Sequence, residues 1–88
     1  MLPNLIPITQ DISTTATSIE VDYHNCYVRN IGDSDLYFLV DNPQPVTSTN
    51  GIYLKSKTDF PLLLSIGTLQ AIAATGTTKI QIIKHSLW

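Results

Sequence analysis

Apolar and polar residues alternate with a period of two along most of this chain, which is the signature of β-strands with one wet face. Ile6, Ile8 and Ile12 lie two or four residues apart with Thr9 and Asp11 between them, predicting a first strand. Ile19 and Val21 alternate with Glu20 and Asp22 in a second. Residues 26–31 predict a third, with Cys26, Val28 and Asn30 on one side and Tyr27, Arg29 and Ile31 on the other. Gly32-Asp33-Ser34-Asp35 is a turn signal, and the apolar run Leu36–Val40 follows it, so these two strands read as a hairpin.

Asn42-Pro43-Gln44-Pro45 ends that strand, because neither proline can donate to a ladder. Val46-Thr47-Ser48-Thr49 reads as a short edge piece, and Asn50-Gly51 as a tight turn into Ile52-Tyr53-Leu54-Lys55. After a Ser56-Lys57 turn, residues 58–65 form a strand that Pro61 places at an edge or a bulge. Ile66-Gly67-Thr68 turns it and residues 69–73 continue. Beyond residues 74–77, the last strand covers residues 79–84, with Ile80 and Ile82 pointing one way and Gln81 and Ile83 the other. Sustained spacing of three and four, which a helix needs, is absent. The expected fold is all-β: a compact antiparallel β-sandwich or small barrel of about eight short strands. Residues 1–7 form an extended apolar arm and residues 8–88 a single domain, since 88 residues leave room for one core.

Composition adds a surface to this picture. Only 14% of residues are charged, well below the usual share of about a quarter, and Ser and Thr take their place. Such a surface suits exposed strands and faces covered by other subunits, where charge is depleted. With a net charge of −2 there is no basic footprint for nucleic acid. Up to Gln44 the charges are Asp11, Glu20, Asp22, Asp33, Asp35 and Asp41 against Arg29. Beyond it they are Lys55, Lys57, Lys79 and Lys84 against Asp59. These halves either attract each other between neighbouring copies or are interleaved by the strands, and interleaving is the expectation. The single Cys26 rules out an internal disulfide. No basic region precedes the first apolar residues, and residues 60–74 are interrupted by Pro61, Gly67 and Gln70. A soluble protein made in a cytoplasm is therefore expected, without a signal peptide or a membrane span.

Each candidate for chemistry lacks a necessary companion. Asp33 and Asp35 have no further ligands at calcium-loop spacing and read as turn formers. His24 and Cys26 have no second pair for a metal, and His85 lies far from both. A thiol nucleophile needs a histidine and an orienting group in space, and Cys26 on an alternating strand reads as buried and inert. Glu20 and the scattered aspartates suggest no carboxylate pair, and the four glycines sit singly in turns. No catalytic residue, cofactor or metal is expected, so the chain is expected not to be an enzyme.

The aromatics and the two ends remain. Tyr37, Phe38 and Phe60 suit packing on strands. Leu87-Trp88 at one end either folds back on the domain or plugs a neighbour, and the apolar arm at the other has the same choice. An extended arm adding to a sheet edge is a common recognition mode.

The runs Tyr27-Val28-Arg29-Asn30-Ile31-Gly32, Leu36-Tyr37-Phe38-Leu39-Val40, Asn50-Gly51-Ile52-Tyr53-Leu54 and Leu69-Gln70-Ala71-Ile72-Ala73, with the following Gly76-Thr77 and alternating strand, resemble a pattern found in small virion proteins of tailed bacteriophages. The pattern is a valine-x-asparagine strand, a small turn and a tyrosine-rich strand, then a glycine-x-x-leucine element and a closing leucine-x-alanine-isoleucine-alanine segment. Where Pro-Gly often follows the glycine-x-x-leucine element, this chain has Ser56-Lys57.

The resemblance implies a repeated β-domain on the outside of a phage head, a capsid decoration or minor capsid protein that binds the shell as a homo-oligomer. Its partners would be other copies of itself and the major capsid protein or other virion proteins, with no nucleic acid or membrane. Its place would be the virion, assembled in the host cytoplasm. Expected interface residues are Leu2, Leu5, Ile6, Tyr53, Leu87 and Trp88. The alternatives are a tail, neck or fibre component, or a module binding carbohydrate or a host surface through residues 32–35 and 41–49.

Overall fold

The computed structural model describes residues 7–84, apart from the side chain of Leu64. The expected contacts of Leu2, Leu5, Ile6, Leu87 and Trp88, and the position of His85, lie outside the described residues. The all-β expectation holds. Six strands, β1 (Ile8–Ile12), β2 (Thr17–Asn30), β3 (Leu36–Val40), β4 (Ile52–Leu54), β5 (Thr58–Ala73) and β6 (Thr78–Lys84), form one antiparallel sheet in the order β1-β6-β2-β5-β3-β4.

Six strands replace the expected eight because two pairs of expected strands are continuous. Residues 19–22 and 26–30 belong to the single β2, which ends one residue short of the expected Ile31, and residues 58–65 and 69–73 belong to the single β5. β2 runs beside β5 from Thr17 opposite Ala71 to Asn30 opposite Thr58, with register shifts between Glu20 and Tyr23 and between His24 and Cys26. Asp22 (φ 53°) and Asn25 (φ 54°) sit at these shifts in the left-handed region, where a short polar side chain is tolerated. Such bulges bend the strand without ending it.

The β2–β5 ribbon is flanked differently at its two ends. β6 pairs only with the stretch of β2 from Cys26 to Asn30, and β1 lies beyond β6. β3 pairs only with the stretch of β5 from Leu69 to Ala73, and β4 lies beyond β3. Two half-sheets therefore share one ribbon. Ala73 N–H donates to Ser13 O at 2.8 Å, tying the end of β5 to the segment after β1. The expected hairpin between β2 and β3 does not form. The end of β2 already has Thr58 on one side and Ile80 on the other, so β3 takes β5 and β4 as neighbours instead. Pro61 meets its expectation, lying in the half of β5 that β2 alone flanks.

Alternation decides what is inside. Ile12, Val28, Leu36, Phe38, Leu69, Ala71, Ile80 and Ile82 are fully buried. Phe38 meets Phe60 edge-on, ring centroids 5.5 Å apart, an arrangement that the ring quadrupoles favour. Residues 46–49 form no strand. Val46 is instead anchored in the interior from a loop, its N–H donating to Gln70 Oε1 at 3.1 Å. Gln70 Nε2 donates in turn to Asn42 O and Gln44 O, so a single side chain holds the proline-rich loop.

One buried polar group organises the far end of β2. Asn30, 1% exposed, donates from Nδ2 to Ser34 O (2.7 Å) and Leu54 O (3.1 Å). Its Oδ1 accepts from Gly32 N–H (3.2 Å) and Thr78 Oγ1–H (2.7 Å). All four hydrogen-bonding sites of the amide are thereby used, binding the turn after β2, the end of β4 and the start of β6. Gly32 is part of this knot. A Cβ there would collide with Thr78 Oγ1 and lie 2.5 Å from the Lys79 backbone nitrogen, so only glycine lets the chains approach this closely.

Among the described residues, the ion pairs Arg29–Asp59 (3.0 Å), Lys57–Asp33 (3.3 Å) and Lys79–Asp11 (3.6 Å) each join a charge from the first half of the sequence to one from the second. The strands thus interleave the acidic and basic halves. Being exposed, each pair contributes about 0–1 kcal/mol.

Cys26 is fully buried, and burial pushes its thiol up from 9.0 to about 11. A raised folded-state value means that the contribution is intact below pH 9 and is lost as pH rises towards 11. The expected loss is about 2–3 kcal/mol. Urea titrations across this interval should show it, and Cys26→Ala should flatten that part of the profile. An equally steep fall in the variant would assign the alkaline loss to other groups.

Candidate functional site

Two places on the surface combine exposure with organised side chains. The first is the β3–β4 edge. Tyr53 lies opposite Tyr37, and Tyr37 opposite Ile72 on β5. Leu36, Phe38, Ala71 and Ala73 point into the core, so the alternation sets Tyr53, Tyr37 and Ile72 in a row on the outer face. The two tyrosine rings stand 5.6 Å apart, tilted by 51°. Tyr53 is 51% exposed and Ile52 37% exposed on the outermost strand. Tyr53, named from the sequence as an interface residue, is thus exposed on this edge.

Tyr53 is held in place although it is exposed. Its hydroxyl donates to Asp35 Oδ2 at 2.7 Å, while Asp35 Oδ1 accepts from Ser56 N–H at 2.9 Å. The Ser56 amide, then the Tyr53 hydroxyl, hold the Asp35 carboxyl below the usual carboxylate range. The same hydrogen bond raises the Tyr53 phenol. The signs follow directly. The Asp35 contribution is present above the ordinary carboxylate range and is lost as pH falls through the lowered value. The Tyr53 contribution is present below the ordinary tyrosine range and is lost as pH rises through the raised one. Between those limits the clamp is intact.

The second place is an open cleft of about 320 Å³ at the bend of the ribbon, lined by Asp22, Tyr23, His24, Asp41, Ser65, Ile66 and Gly67. The bulge at Asp22 opens it. Asp41, with φ 47° after the last residue of β3, turns its carboxylate back onto β5. There it accepts from Gly67 N–H at 3.1 and 3.2 Å and from Thr68 N–H at 2.9 Å. The expected turn at Ile66-Gly67-Thr68 is thus continuous strand whose Gly67 and Thr68 amides a carboxylate satisfies. Across the ribbon, Ser65 Oγ and His24 Nδ1 share a 2.5 Å hydrogen bond. Lys84 Nζ lies 5.9 Å from the centre of the Tyr23 ring, within cation–π range.

A serine nucleophile would need an orienting group on the other imidazole nitrogen and free amides for an oxyanion. Here the neighbouring Gly67 and Thr68 amides are committed to Asp41. The Ser65–His24 contact joins β5 to β2, where the two residues are opposite each other in the register. His24 is exposed with Ser65, whereas Cys26 is inside, so these two do not pair. Asp33 pairs with Lys57 and Asp35 with Ser56 and Tyr53. Among the described residues, no three His, Cys, Asp or Glu side chains gather as metal ligands would. No helix there is long and apolar enough to cross a membrane.

The cleft was not legible in the sequence, because its residues come from β2, β5 and the end of β3. The available signal was local: Asp22, Asn25 and Asp41 are residue types that accept left-handed backbone where alternation falters. Comparison with known protein families, curated proteins and solved structures finds no match.

Proposed function

We propose that this chain is a non-catalytic structural protein of a tailed-phage virion, a capsid decoration or minor capsid component present in repeated copies. The supporting observation is the outer row of Tyr53, Tyr37 and Ile72 at the β4 edge, with Ile52 exposed on the same strand but on the face it shares with Phe38. The particle itself is suggested by the sequence resemblance. Tyrosines at a sheet edge are strong interface anchors. Tyr53 is clamped by Asp35 before any partner arrives, so docking costs less side-chain entropy. The partners are neighbouring copies and other virion subunits.

Tyr53→Ser should leave the fold within about 1 kcal/mol of its original stability, because the residue is exposed. It should reduce occupancy on purified particles by about tenfold or more, as expected for the loss of an aromatic hot spot. Copies per particle, counted by quantitative mass spectrometry after saturation with each variant, test this. Full occupancy by both Tyr53→Ser and Ile52→Ser, or no copies on particles at all, would sink the reading.

One observation favours a second reading. The bend cleft is lined by Tyr23 together with Asp22 and Asp41, residue types that can stack on a sugar and accept from its hydroxyls. Saturable glycan-array hits that vanish in Asp22→Ala, with normal particle occupancy for Tyr53→Ser, would favour a carbohydrate-binding module instead.

A further inference from the structure

The chain holds one Asn-Gly pair, Asn50-Gly51, in an exposed loop immediately before β4. Asn-Gly is the dipeptide most open to spontaneous deamidation, because glycine puts no side chain in the way of its own amide nitrogen. Of the other described asparagines, Asn25 precedes the buried Cys26, Asn30 is buried, and Asn42 precedes a proline that has no N–H to react.

We propose that Asn50 is this protein's deamidation site, and that the native loop holds the reaction back until the turn opens. In the reaction the Gly51 nitrogen attacks Asn50 Cγ, a new N–Cγ bond forms, and the side-chain nitrogen leaves as ammonia. Water then opens the succinimide, at the side-chain carbonyl to give aspartate or at the main-chain carbonyl to give isoaspartate. One water is consumed, one ammonia is released, and nothing is oxidised or reduced.

The folded loop opposes each step. The Gly51 N–H is committed to Thr47 O at 3.0 Å. The Asn50 amide is tethered at both ends, Oδ1 accepting from Thr47 N–H (2.7 Å) and Oγ1–H (3.1 Å), and Nδ2 donating to Pro45 O (3.0 Å). Thr47 Oγ1 also accepts from the Thr49 and Asn50 amides at 3.2 Å. Swinging Cγ onto the Gly51 nitrogen breaks this set. The surroundings are closed as well. Even a Cβ on Gly51 would lie 2.7 Å from Tyr37 Cβ, 2.9 Å from Thr47 O and 2.9 Å from Val46 Cγ2. The isoaspartyl product inserts an extra methylene into this backbone, and the closed loop has no room for it. Aspartate fits the volume but cannot donate to Pro45 O.

Peptide mapping by mass spectrometry of the full chain, held in mildly alkaline buffer, tests the proposal. Deamidation should concentrate at Asn50 and run about tenfold or more slower in native buffer than in denaturant, the ratio reporting the loop-opening equilibrium. Thr47→Val removes the hydroxyl contacts and should speed the native reaction several-fold while leaving the denatured rate unchanged. Equal native and denatured rates for the unmodified chain, or faster native loss at Asn25 or Asn42, would overturn the proposal. So would a Thr47→Val protein that is folded by circular dichroism and deamidates no faster.

Discussion

Asn30→Asp should lower stability by about 3–5 kcal/mol at neutral pH, enough to unfold much of the population of a small domain. The side chain is 1% exposed, and its amide nitrogen gives hydrogen bonds to Ser34 O and Leu54 O. A carboxylate of the same shape would turn an oxygen toward both carbonyls. It would leave them without donors and add an unpaired charge to the interior. The loss should depend on pH in a defined direction. The buried carboxyl in the folded variant would titrate above its unfolded value of about 3.9, so stability returns as pH falls towards and below that value. Urea midpoints at neutral and acidic pH, referenced to the unsubstituted chain, measure both parts. A neutral-pH midpoint like that of the original protein would show that the knot at the end of β2 contributes little.

Phe38→Ala should cost about 3–5 kcal/mol at every pH. Phe38 is fully buried and contacts Phe60 edge-on. It lies between Ile52 on β4 and Ala71 on β5 in the register. The neighbour on the β5 side is only a methyl group, so it cannot swing in to fill the space. Thermal and denaturant unfolding test this. Phe38→Leu, which keeps most of the volume, should recover most of the loss. A cost below about 1 kcal/mol for Phe38→Ala would mean that the half-sheets collapse onto the gap more readily than close packing allows.

Where an apolar run or an alternating pattern was unbroken, the sequence could be read directly. Leu36–Val40 is β3 as expected, and the buried Ile80 and Ile82 lie on β6 as expected. Cys26, Val28 and Asn30 share the inner face of β2. Errors arose where alternation paused, because a pause looks the same whether a strand ends or bulges. Tyr23, His24 and Asn25 suggested the end of one strand, yet φ 53° at Asp22 and 54° at Asn25 bend β2 and let it continue. Ile66-Gly67-Thr68 suggested a turn, because nothing local reveals that the Asp41 carboxylate will satisfy those amides. Partner choice was illegible for the same reason. The turn after β2 implied a β2–β3 hairpin, but Thr58 and Ile80 occupy both flanks of Asn30. At the surface, the clamp on Tyr53 was not legible, because Asp35 reaches it across 18 positions of sequence.

The sharing of β2 and β5 between two half-sheets bears on how the molecule comes apart. Among the described residues, β1 and β4 each have a single strand neighbour and can be peeled away with local losses. The ribbon they flank cannot. Separating β2 from β5 removes the support of both halves at once, so the two have no means of melting in turn. The residues that must meet to build it are also remote, Thr17 with Ala71 at one end and Asn30 with Thr58 at the other. Little of the ribbon can form before the intervening chain closes into a loop, which makes its assembly slow. Once formed, its rupture is an all-or-none event, so the domain under mechanical load would either keep its whole fold or lose it in one step.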